Sequence, residues 1–163
     1  MRNTKQNPYW LVCASILAGA LLTIFPLPAW AIWWRPQWLL MIVLFWVITF
    51  PDRYGVGVAW VAGIVMDIMI GTPLGLHALV YVVVTYVALK FHQLLLHSPR
   101  FQQALLVGFF AGMGVLLQGI VSHFLGQSVH VWHQELSAIT TVLFWPLLSF
   151  LLEKSRPHEY GLV

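Results

Sequence analysis

Charge is scarce in this sequence and cysteine is nearly absent. Lysine, arginine, aspartate and glutamate together make up 8% of the 163 residues, where an average soluble domain carries roughly a quarter. So small a charged fraction cannot clothe a surface that meets water on every side. Cys13 is the single cysteine and lies in an apolar stretch. That excludes an intrachain disulfide and a cysteine-based metal site, and it predicts a buried, inert thiol. Also missing are a nucleophile elbow, a phosphate-binding loop, a Glu-x-x-His pair and any cluster of carboxylates. Nothing argues for catalysis, and no cofactor, metal or nucleic-acid partner is expected.

What the chain has is apolar length. Hydrophobic residues make up 60% and aromatic residues 15%, including nine tryptophans, a usage suited to repeated crossing of membrane interfaces. A helix needs about 20 mostly apolar residues to cross the hydrocarbon core. Six segments approach that length between breakers and charges, at 9–25, 36–50, 55–70, 76–95, 101–125 and 136–152. The expectation is one all-α integral membrane domain over 1–163, a compact bundle of six transmembrane helices, with the first helix retained rather than cleaved as a signal peptide. The connections are short, which leaves no room for a soluble catalytic domain.

Orientation follows from the basic residues. With six spans, Arg2, Lys5, Arg53, Lys90, Arg100, Lys154 and Arg156 fall on one side, and Arg35 alone of the eight lysines and arginines falls on the other. This asymmetry puts both termini in the cytoplasm. Trp30, Trp33, Trp34 and Trp38 then join the outer aromatic belt.

Asp67 is the most informative position, a carboxylate inside the third apolar segment, where an unpaired charge is costly. Ala59, Gly63, Asp67 and Gly71 recur every four residues, which places them along one side of a helix and lets a neighbouring helix approach closely. Gly71 and Gly75 suit the helix exit and the turn that follows. Two roles are open to Asp67: a ligand, proton or partner-binding group, or an acceptor that fastens the outer turn to the bundle. Arg35, at the head of Arg35-Pro36-Gln37-Trp38, is placed to pair with Asp67 at the same face or to meet lipid headgroups. Gly108 and Gly112 form a Gly-x-x-x-Gly pair suited to helix contact. Gln118 and Ser122 are placed to bond within the bundle or line a cavity. His77 reads as a helix-start polar residue. His130 and His133, near His123 and Glu135, fall on one helical turn, yet no third ligand is fixed by spacing, and interfacial histidines are the expectation.

Arg35-Pro36-Gln37-Trp38, Phe50-Pro51-Asp52-Arg53, the run from Gly63 to Gly75, and Tyr86-Val87-Ala88-Leu89-Lys90 follow in an order that resembles the MreD family of the bacterial rod-shape machinery. The resemblance implies a non-enzymatic inner-membrane scaffold of the rod complex, or elongasome, supporting lateral peptidoglycan synthesis and cell shape. Its implied partners are MreC directly, and MreB, RodA and a class B penicillin-binding transpeptidase in the larger complex, with membrane lipids around it. It also implies an architecture resembling the S-components of ECF vitamin transporters, with a pocket open to the outer face. A small-molecule-binding transport subunit is therefore the rival expectation.

Overall fold

The computed structural model describes residues 9–26, 28, 34–126 and 131–154, with the side chains of 9 and 131–135 left undescribed. Among these residues the chain is all helical. It comprises α1 (Tyr9–Ile24), α2 (Trp38–Thr49), α3 (Val56–Ile70), α4 (Leu76–Lys90), α5 (His92–His97), α6 (Arg100–Phe124) and α7 (Val131–Lys154).

The six-span, S-component-like bundle expected from hydropathy is corrected here. Among the described residues, only α6 and the Leu136–Lys154 part of α7 are long and apolar enough to cross a membrane. The other apolar helices are shorter. At 12 residues, α2 extends about 18 Å, against about 30 Å of hydrocarbon. The segment expected over 76–95 breaks at Phe91 into α4 and the six-residue α5. Hydropathy had counted apolar flanks as helix, whereas Phe25, Pro36, Gln37, Phe50 and Phe91 lie outside the helices that result.

Why α2 occupies the centre is written in its composition. Trp38–Thr49 is apolar all round, and a helix without a polar face belongs in an interior. Leu39 through Ile48 are all buried, against α1, α3, α4, α5, α6 and α7. The indole N–H of Trp46 donates to Ser15 Oγ at 2.8 Å, which satisfies its polar atom and ties α2 to α1.

Two antiparallel hairpins flank α2. In the first, Gly63 of α3 lies against Ala78 of α4. In the second, Gly108 of α6 meets Val142 of α7, Trp145 Nε1 donates to Gln103 Oε1 at 3.2 Å, and Arg100 pairs with Glu153 at 2.9 Å. His77 at the start of α4 reaches Gln118 near the end of α6, so the 71–75 turn and the 125–126 turn share one end of the bundle. Arg53, Lys90, Arg100 and Lys154 therefore share the opposite end.

The outer surface is apolar. Phe101, Phe109, Leu116 and Ile120 of α6, and Leu143, Leu147 and Leu151 of α7, all face outward. Continuous exposed apolar area of this kind is not tolerated in water, and it marks a membrane-associated protein. Cys13, expected buried, also lies on the exposed face of α1. Burial in the bundle and immersion in an apolar solvent look alike in sequence, which is why its facing was misread. Trp34 is exposed and Trp38 stacks edge-on against Phe144 at 5.1 Å; Trp30 and Trp33 lie outside the described residues.

Candidate functional site

The 71–75 turn is built around one carboxylate. Asp67, in the last turn of α3, has 0% of its surface exposed. Its Oδ2 accepts from the Gly75 backbone N–H at 2.8 Å. Its Oδ1 accepts from the Thr72 hydroxyl at 2.9 Å, the His77 backbone N–H at 2.9 Å and the His77 ring Nδ1 at 2.7 Å. A charge in an apolar interior survives only when donors replace the lost water, and these four do so. Because Nδ1 faces a carboxylate oxygen, it carries the ring proton. Nε2 is then an acceptor for the Gln118 side-chain N–H at 3.2 Å. The result is a hydrogen-bonded relay that joins α6, α4 and α3.

The turn itself depends on two glycines. Gly71 ends α3 with φ +76° and donates to the Asp67 carbonyl at 2.9 Å. Gly75 enters α4 with φ +101°. Both lie in the left-handed region that costs an L-residue about 1–2 kcal/mol. Neither has a neighbour within 4 Å of a built Cβ, so the requirement is conformational, not steric. Gly75→Ala is accordingly expected to lower stability by about 1–2 kcal/mol, read as a reduced thermal midpoint in mild detergent with the helical circular dichroism unchanged.

Beside this turn lies a cavity of about 240 Å³ lined by residues of α1, α2, α3, α4, α6 and α7 together with the segment before α2. Its polar lining comprises Thr23, Arg35, Gln37, His77, Tyr81, Gln118 and Ser137; its apolar lining includes Leu39, Met66, Ile70, Val80 and Val115. Arg35 and Asp67 do not pair. The partner of Asp67 is His77, while the Arg35 guanidinium donates to the Thr23 carbonyl and, at 2.8 Å, to the Phe25 carbonyl at the end of α1. Pro36 lines the cavity as well.

The remaining candidate residues are engaged inside the chain. A Cβ on Gly63 overlaps the backbone of Ala78, and one on Gly108 overlaps the side chain of Val142. Gly112 is looser, with Ala138 Cβ at 4.0 Å. Both small-residue faces are thus covered by helices of the same molecule. The side chains of His133 and Glu135, and all of His130, lie outside the described residues. Among the described residues, no group of three or more His, Cys, Asp or Glu side chains is placed to hold a metal ion. Sequence reasoning missed His77 as the partner of Asp67. The signal was present: a hairpin turning at 71–75 sets 67 and 77 opposite each other.

A family model described as rod shape-determining protein MreD matches residues 4–155. The rod shape-determining protein MreD of Haemophilus influenzae is 31% identical over 122 residues, which cover 75% of each chain. No solved structure matches the chain.

Proposed function

Since the chain belongs to the MreD family of rod shape-determining proteins, we propose that it is a non-enzymatic scaffold of the rod complex that binds MreC. Through MreC it acts with MreB, RodA and a class B penicillin-binding transpeptidase, supporting lateral peptidoglycan synthesis. The observation that carries this reading is the family match, which runs along nearly the whole chain.

The faces around Gly63 and Gly108 are already filled, so MreC docks on outward apolar faces instead. The relay of Asp67, His77 and Gln118 acts as a fastener, holding the turn that shapes one end of that surface. The chain is a multi-pass protein whose basic end, with Arg53, Lys90, Arg100 and Lys154, faces the cytoplasm.

The test is a tagged purification from native membranes in mild detergent, with mass spectrometry of the co-purifying proteins. Recovery of MreC, with or without RodA and the transpeptidase, supports the scaffold. Recovery of a transport ATPase and its coupling subunit without MreC overturns it. Orientation is read separately in a Cys13→Ser background, where Ser98→Cys should react with an impermeant maleimide only after the cells are opened. Labelling in intact spheroplasts would reverse the assignment.

A further inference from the structure

The cavity holds one full charge that the protein leaves incompletely matched. Arg35 spends donors on the Thr23 and Phe25 carbonyls, which are neutral acceptors at a helix C-terminus. Its Nε is buried and has no hydrogen-bond partner among the described residues. Among the described residues, no carboxylate lines the cavity. Asp67 lies behind His77, with both oxygens already occupied. Tyr81 and Ser137 add hydroxyls to the same lining, and neither side chain bonds to the described residues. A cation beside unused donors calls for an acceptor with several lone pairs.

We propose that this cavity binds a phosphate-bearing anion, with Arg35 supplying the charge and Tyr81 and Ser137 the further donors. At about 240 Å³ the space is smaller than the roughly 300–1,000 Å³ typical of drug-sized ligands. It takes a headgroup or a free anion, and not an entire lipid. Ile70 lines the cavity and is also 47% exposed, so an acyl chain attached to the phosphate leaves along an apolar rim onto the outer surface. This site is independent of the scaffold reading, because it needs no partner protein.

The test uses the full chain in mild detergent, with thermal unfolding as readout, since a ligand of the folded state raises the midpoint saturably. The probes are dihexanoyl phosphatidylglycerol, the matching dihexanoylglycerol without phosphate, and inorganic phosphate. Phosphatidylglycerol is expected to raise the midpoint, and dihexanoylglycerol is not. An equal response to inorganic phosphate assigns the site to the free anion; its absence assigns it to the lipid. Arg35→Gln should weaken the response at least tenfold. Val115→Phe should do the same by filling the cavity while leaving the Arg35 bonds to α1 intact, which keeps the test decisive if Arg35→Gln fails to fold. Equal responses to both dihexanoyl probes, or an undiminished response in Val115→Phe, overturn the proposal.

Discussion

Asp67→Leu is expected to destabilise the folded chain by about 3–5 kcal/mol, the cost of stranding several buried donors at once. Leucine has the same branched arrangement of side-chain heavy atoms as aspartate, so the loss arises less from shape than from stranded donors. The Gly75 and His77 backbone N–H groups, the Thr72 hydroxyl and the His77 ring N–H all lose their acceptor together. Each buried group left unsatisfied costs about 1–3 kcal/mol, and the turn can relieve part of that only by opening towards solvent. Thermal unfolding of the detergent-purified variant is the direct measurement. A midpoint within 2 °C of the parent protein would show that the cluster contributes little.

Asp67→Asn separates charge from geometry. The amide keeps a carbonyl acceptor on one side but presents N–H groups on the other. Placed with its oxygen at the Oδ1 position, it satisfies Thr72 and His77 and sets a donor against the Gly75 N–H. An intermediate loss is expected, about half that of leucine. On the scaffold reading the two variants rank the same way in MreC recovered by co-purification, because the fastened turn shapes the docking surface. Wild-type recovery with Asp67→Leu, despite lowered stability, would detach the turn from partner binding and leave the relay a purely internal brace.

Much of this was legible in the sequence, at the level where local chemistry decides. Asp67 stood out because a carboxylate amid apolar residues demands a partner, and Gly71 and Gly75 announced the turn because no other residue enters the left-handed region freely. The partner's identity was not legible. His77 and Arg35 are both plausible mates for a carboxylate by type, and only the close approach of α3 to α4 brings the ring to 2.7 Å. Helix length was misjudged for a related reason. Apolar character persists past the point where the backbone stops being helical, as at Phe25 and Phe91, so hydropathy measures the solvent and not the hydrogen-bond ladder. The facing of Cys13 failed likewise, since an apolar residue suits bundle and lipid equally.

Gly63→Ala tests the contact on which the α3–α4 hairpin rests. A methyl group there overlaps the Ala78 Cα, its backbone nitrogen and the His77 carbonyl carbon. These are backbone atoms in the first turn of α4, which no rotamer change can move aside. The two helices must separate, and separation also lengthens the bonds from Asp67 to the His77 N–H and ring. A loss of about 2–3 kcal/mol follows, the upper part of the range for overpacking, even though alanine is favoured over glycine in a helix by about 1 kcal/mol. Gly57→Ala, on the same helix, isolates that opposing term. Nothing lies within 4 Å of its built Cβ, so this variant should hold or gain up to about 1 kcal/mol. Opposite signs for one substitution at two positions of α3 are the signature of close packing against α4. Two gains would mean that α4 does not approach α3 at Gly63, and would release the small-residue face for a helix from another protein.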